Sequence, residues 1–443
     1  MIVPSAPLTS AIVAFAVRKG PLPASARHIM KLSLLDWCAV ARAGVDEPVA
    51  QIVRSLVAEE GGRAEATVVG LAEKVPARAA ALANGAASHA LDYDDTHFAH
   101  IGHPSVGIIP AALAMAEKIG ASGEAFLDAA LIGVEASCRI GTWLGRGHYQ
   151  HGFHQTATAG AFGAAGAAGR LLGLDEAQMA QAIGIVATRA SGLKSQFGTM
   201  GKPYHAGMAA SNGVEAALLA KAGFVSRPDG LECEQGFGPT HAGENADLAP
   251  ILAGLGETFW FESVQHKFHA CCHGTHAGIE SLNALRIARG LVPNQITGVT
   301  VTTHPRWLKV CNLEKPATGL EAKFSFRLTA AMALASYDTG ALSTYTDALC
   351  AEPLLVALRD RVRVETDTAL ADTAARVSVT LRNNETLSGE FDLDRPMPPA
   401  AREAKIRAKA ASLLGSKPAE AFWGVVDALD RRPVTDLSRH LVG

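Results

Sequence analysis

At 443 residues, with 48% apolar and 19% charged side chains, the chain is an ordinary globular one, long enough for two or more domains. A net charge of −3 offers no basic surface for nucleic acid or an anionic membrane. Seven scattered cysteines, odd in number and without CxxC spacing, exclude a disulfide framework, a zinc ribbon and an iron–sulfur cluster.

Met1-Ile2-Val3-Pro4-Ser5-Ala6-Pro7-Leu8 lacks a basic region followed by an apolar core, and later apolar runs are broken before they could span a bilayer. A cytoplasmic protein with no membrane partner is expected. Abundant Ala and Gly with 6% aromatics favour closely packed helices, and the periodicity predicts helices over 8–18, 24–43, 48–60, 76–89, 106–119, 123–139 and 157–172. Stop signals such as Ile119-Gly120 and Leu172-Gly173 end helices, and Ser122 and Asp175 are placed to cap the next ones. Near residue 267 the character changes. Residues 295–303 and 375–381 alternate β-branched and polar side chains as strands do, and 383–386 reads as a turn with a return strand at 387–391. Helical stretches at 272–288, 327–335 and 351–362 lie among them, and helices resume at 400–413 and 418–429. The reading is therefore mainly α: a large all-helical bundle domain, discontinuous over 1–266 and 398–443, plus a smaller α+β domain over 267–397.

Four segments concentrate chemistry. Asp92-Tyr93-Asp94-Asp95-Thr96-His97 through His100 and His103 sets three carboxylates and three histidines between two apolar helices, as a loop on a rigid scaffold would. Asp94 and Asp95 read as caps and braces of the helix end, and what singles out Asp92, Thr96 and His103 is the family resemblance these segments carry together. Arg146-Gly147-His148-Tyr149-Gln150-His151-Gly152-Phe153-His154 supplies a second cluster. Its histidines three apart could share a helical face around a metal, but Gly147 and Gly152 favour a loop, and no metal is expected. In the third, Gly198-Thr199-Met200-Gly201-Lys202-Pro203-Tyr204-His205, glycines allow close backbone approach and Pro203 restricts Lys202. The fourth, Lys267-Phe268-His269-Ala270-Cys271-Cys272-His273-Gly274-Thr275-His276, opens a helix whose N-terminal amides suit an anion. GxSxG, GxGxxG and HExxH are absent, which removes serine hydrolase, dinucleotide and zincin readings.

Together HALDYDDTH with the following HPS, RGHYQHGFHQT, GTMGKPYHAGMAA, GFVSRPDGLECEQGF and CCHGTH resemble the MmgE/PrpD family over nearly the whole chain. The resemblance implies an all-helical domain with a smaller α+β lid, an active site between them, a homodimer, no organic cofactor and a small polycarboxylate substrate. It carries catalytic roles to Asp92, His103, His154 and Lys202, with Tyr149 a further candidate, and substrate contacts to Thr96, Arg146, His205, Lys267, His273 and His276. The reaction it implies first is a hydro-lyase like 2-methylcitrate dehydratase, which takes a proton α to a carboxylate and eliminates water. The alternative is an epimerase like iminodisuccinate epimerase, in which Tyr149 or Lys202 is one of two opposed bases. Decarboxylation of the cis-aconitate type ranks lower, because Ser325-Phe326-Arg327-Leu328 places Leu328 where the decarboxylase has tyrosine. A non-catalytic carboxylate-binding protein is the reading from another class.

Overall fold

The computed structural model describes residues 7–242 and 246–442; residues 1–6, read above for the absence of a leader, lie outside the described residues. The chain divides into two compact units, one running to His266 and resuming at Ile406, the other Lys267–Lys405. The return falls inside the helix Pro399–Leu414 instead of ahead of it at 398. Among the described residues no helix is long and apolar enough to cross a membrane.

The first unit is helical: α1 Leu8–Val17, α2 Ala24–Ala43, α3 Pro48–Glu60, α4 Ala77–His89, α5 Ser105–Ile119, α6 Gly123–His151, α7 Gln155–Leu171, α8 Glu176–Arg189 and α9 Gly201–Lys221. Local chemistry sets several ends. Ser122 accepts a hydrogen bond from the Ala125 amide to start α6, Asp175 and Gln178 form a capping box for α8, and Gly120 in the left-handed region closes α5. The segment from 146, expected as a loop, is helical as far as His151. α6 accommodates this by a kink at Gly145 (φ 69°, ψ −173°), and Gly152 (φ 113°) then ends it.

Small residues let the central helices touch backbone to backbone. A Cβ on Gly85 of α4 would lie 2.7 Å from the Gly207 Cα of α9, and one on Gly133 of α6 would lie 2.6 Å from the Gly163 carbonyl oxygen of α7. All of Gln155–Gly169 in α7 is buried. The core is tied to a later loop by Arg139, which is fully buried. Its guanidinium pairs with Glu135 at 2.7 Å, donates to the carbonyls of Ile251, Ala253 and Thr258, and lies 4.2 Å from the Trp260 ring centroid.

The second unit holds a four-stranded sheet, β1 Ile296–Thr303, β2 Val362–Thr366, β3 Ala374–Leu381 and β4 Thr386–Asp392, in the order β2-β1-β3-β4. β1 pairs antiparallel with β3 (Val301 opposite Val377) and β3 with β4, as the hairpin pattern predicts. β2 was not expected. Val362 and Val364 continue the apolar spacing of the preceding helix, which ends early at Arg359, and the strand then joins β1 in parallel with Val299 opposite Val362. The helix His276–Arg289 packs on this sheet after a short 3₁₀ turn at His273–Thr275.

Candidate active site

Four helix ends meet in the first unit: the C-terminus of α4 and the N-termini of α5, α7 and α9. The His103 amide, just ahead of α5, donates to Thr156 Oγ1 in the first turn of α7 at 3.0 Å. His154, at the cap of α7, and His205, in the first turns of α9, approach Nδ1 to Nδ1 at 3.1 Å. Three helix N-termini, with their positive dipole ends, thus lie around these side chains, the first amide of α5 being taken by Asp95 and that of α9 by Thr199.

Asp94 lies at the centre. His89 Nδ1 is 2.9 Å from its Oδ1 and His103 Nδ1 is 2.7 Å from its Oδ2. Burial acts to raise this carboxyl, yet the His103 and His89 imidazoles hold it well below the usual carboxylate range. An ionised carboxylate only accepts, so His89 donates to it from Nδ1, while His103 Nδ1 lies at ion-pair distance from its second oxygen. His103 Nε2 is 3.6 Å from Asp92 Oδ1, which in turn is 2.8 Å from Lys202 Nζ. The Asp92 side chain is 42% exposed, so the pair opens outward while Asp94 is enclosed.

His154 and His205 are both kept neutral. Burial, then the neighbouring His89 and Lys202, lowers His154 well below its ordinary value and His205 to about 4. One imidazole of this pair must then donate and the other accept. The Phe197 ring meets His154 edge-on, and Lys202 Nζ lies 5.5 Å from the Phe197 centroid.

Of the residues proposed from sequence, Asp92, His103, His154, Lys202 and His205 are brought together. Thr96 lies in the same loop, tied through its backbone to Gln265 in both directions at 2.8 and 2.7 Å. Arg146 is exposed beyond the α6 kink. Tyr149 is half-buried, with Lys194 Nζ 3.6 Å from its ring centroid and donating to its carbonyl. Lys267, His273 and His276 belong to the second unit and are buried there. His276 Nε2 contacts the Cys271 carbonyl at 3.2 Å and its ring packs against those of His269 and His273. His148, His151 and His154 do not converge: His148 bonds the His241 carbonyl and Thr158, His151 the Gly147 carbonyl, and His154 meets His205.

Two corrections concern the acidic run. Asp94 is not a cap, since both its oxygens are engaged by imidazoles. Asp95 does brace α5, accepting from the amide and hydroxyl of Ser105, and burial pushes its carboxyl up to about 7. His89 escaped notice because it closes an apolar helix. Its five-residue spacing to Asp94 was the available signal. One donor atom each from His89, Asp92, Asp94 and His103 lie within 4.8 Å of one another, a spacing open to a cation. Lys202 already supplies positive charge to Asp92, and Asp94 is committed to the two imidazoles.

The MmgE/PrpD N-terminal domain model matches residues 11–248 and the MmgE/PrpD C-terminal domain model residues 269–431. The chain belongs to the MmgE/PrpD family. This MmgE/PrpD chain is similar to cis-aconitate decarboxylase of Homo sapiens, 27% identical over 376 residues that cover 81% of it and 77% of the relative. It is 32% identical to cis-aconitate decarboxylase of Aspergillus terreus over 281 residues, 60% of this chain and 57% of that one. With cis-aconitate decarboxylase of Mus musculus it shares 26% over 437 residues, 93% and 88% of the two chains. None of these three is an epimerase, so the isomerase reading gains no support from them. The second family match also runs past Ile406 to residue 431, so the tail that folds into the first unit belongs by sequence to the C-terminal domain up to that point.

Proposed function

We propose that this protein is a cofactor-independent lyase of a small di- or tricarboxylate, and that its principal reaction is elimination of water. The observation that carries the reading is the clamp of Asp94 on His89 and His103 beside the Asp92–Lys202 pair. Removing a proton next to a carboxylate builds charge on a group already negative, so the site must hold that charge while a separate group takes the proton. Lys202, with the positive dipole ends of α5, α7 and α9 around it, holds the carboxylate and the developing enediolate. His103, its Nδ1 facing Asp94, presents Nε2 as the base, with Asp92 facing it. Neutral His154 donates a hydrogen bond to the departing hydroxyl, and the proton that His103 has taken from carbon passes to that hydroxyl, which leaves as water.

Decarboxylation is the second reading, favoured by the names of the relatives. The same dyad would then return a proton to the carbon that has lost carbon dioxide. Against it stands Leu328, which is fully buried in the helix Phe326–Leu334 and offers no hydroxyl where the decarboxylase has tyrosine. By the same family reading the protein is a cytoplasmic homodimer, and light scattering on the purified protein tests the dimer.

Incubation with a panel of di- and tricarboxylates in deuterated water, followed by NMR with trapping of carbon dioxide, separates the outcomes. A new alkene without carbon dioxide is expected. Release of carbon dioxide selects the second reading. Deuterium at a retained stereocentre with no alkene, or saturable binding with no turnover, overturns the lyase assignment.

A further inference from the structure

The turn that carries Asp92 and Asp94 is held in an unfavourable shape. Asp92 has φ 50°, in the left-handed region, which aspartate enters more readily than most side-chain-bearing residues but which still stays uncommon outside held turns. One part of that hold comes from the far end of the chain. Lys409, in the helix Pro399–Leu414, has a side chain only 3% exposed. Its ammonium donates to the Tyr93 carbonyl at 2.6 Å, across 316 residues of sequence, and pairs with Asp36 Oδ1 of α2 at 2.6 Å. It also lies 4.0 Å from the centroid of the fully buried Tyr93 ring. The peptide it grips joins Tyr93 to Asp94, between the residue in the left-handed conformation and the one that clamps both imidazoles.

Asp36 anchors Lys409 from α2, and the same helix supplies Ser33, whose hydroxyl meets His266 Nε2 at 2.9 Å. Next to Asp94, Asp95 is fixed from the other side by Ser105 of α5. The Asp92–Asp95 run is therefore held at its backbone by the returning tail and at its side chains by α5 and the two imidazoles. A lysine is costly to bury and gains nothing from burial unless its partners offset the loss of water. Here they are a carboxylate, a carbonyl and an aromatic face.

We propose that Lys409 is a positioning residue for the candidate site: through the Tyr93 carbonyl it fixes the turn that aims Asp92 at Lys202 and Asp94 at His89 and His103. This rests on the site described under the proposed function, but its decisive test needs no substrate. In the double variant Lys409→Met/Asp36→Leu both charges are removed together, so no buried charge is left unpaired. ¹⁵N spectra of the full-length protein, with the His89 and His103 signals assigned from His89→Gln and His103→Gln, report the ring tautomers directly. The double variant is expected to unfold near the wild-type temperature yet to show both imidazoles moved away from a fixed Nδ1-protonated form. Its kcat should drop about tenfold to a hundredfold with little change in KM, since misplacing a site by a fraction of an ångström to an ångström has that order of effect. Imidazole signals indistinguishable from wild type would overturn the proposal, whatever the activity. If no variant or wild-type protein turns over any carboxylate while the signals do move, the reaction assignment fails and the positioning role stands. Should the double variant not fold, Lys409→Arg keeps Asp36 paired but shifts the donor off the Tyr93 carbonyl, and the same spectral criterion applies.

Discussion

Replacing Asp94 by asparagine tests the centre of the site with almost no change in shape. The carboxylate accepts from His89 Nδ1 at 2.9 Å and faces His103 Nδ1 at 2.7 Å, and an amide can offer an oxygen to only one of them. If its oxygen turns to His89, its NH₂ faces His103, which must then accept at Nδ1 and carry its proton on Nε2, so the base is blocked. The equivalent Asp-to-Asn exchange behind the histidine of a serine protease triad lowers kcat by about 10⁴. If the oxygen turns to His103 the tautomer survives and only the charge assistance is lost, roughly 1.4 kcal/mol or about tenfold. A kcat between about 10-fold and 10⁴-fold below wild type is therefore expected, with KM less affected. Stability should respond differently. The folded-state pKa of Asp94 is depressed, so its contribution is present above the unfolded value near ~3.9 and is lost as pH falls through the lower folded value. The variant should thus lose part of the acid limb of the stability profile and keep its fold at neutral pH. Turnover measured across pH 6 to 8, with circular dichroism melts of the same samples, supplies both readouts. Wild-type kcat in a folded Asp94→Asn protein would refute the assignment of His103 as the oriented base.

Lys202→Ala and His103→Ala are each expected to abolish turnover while leaving the circular dichroism spectrum unchanged; wild-type rates in both would remove this cluster from consideration. Exhaustive chelation should leave activity intact, and loss restored by one added divalent ion would make the group of His89, Asp92, Asp94 and His103 a metal centre. For Asp95, raised to about 7 by burial and by Asp36 and Asp94 against the hydrogen bonds of Ser105 and Ser33, the sign runs the other way. Its contribution is fully present below the unfolded value and is lost as pH rises toward 7, so Asp95→Asn should gain on wild type in urea midpoint between pH 4 and 7, and a constant difference would contradict this. Arg139→Met should cost about 3–5 kcal/mol in denaturant unfolding, because it leaves buried Glu135 without its counter-charge and with only backbone donors such as the Phe261 amide. A loss under about 1 kcal/mol would show that Glu135 is neutralised in some other way.

Much of the architecture was legible because local signals agreed with tertiary structure. Runs of alanine broken by Gly120 and Gly173 mark helices whose ends the structure places within a residue or two, and the alternation at 375–381 marks a real strand. Where reading failed, the deciding partner was distant or the local cue ambiguous. Gly147 looked like a break, but the chain puts its irregular residue at Gly145 and stays helical to His151. β2 has five residues, and only its pairing with β1 identifies it. The site behaved likewise. The segments holding Asp92, His103, His154 and Lys202 stood out as ionisable groups amid apolar helices, and the family resemblance picked these residues within them. Asp94 looked like one more acidic residue, since its meaning depends on His89 across a left-handed turn. Lys409 was out of reach, because nothing near it in sequence hints at Tyr93 or Asp36.

The contact of Gly85 with Gly207 has a consequence for how such a site can change. His89 ends one of the two helices that meet there and Lys202 begins the other, so the gap between them works as a gauge block cut to a single thickness. The smallest increment a mutation can add is a methyl group, and at 2.7 Å that already forces a backbone to retreat. Spacing across this seam cannot drift by small steps. A descendant of this chain that takes a longer or shorter acid would have to find the room in side chains around the seam, and leave the seam itself alone.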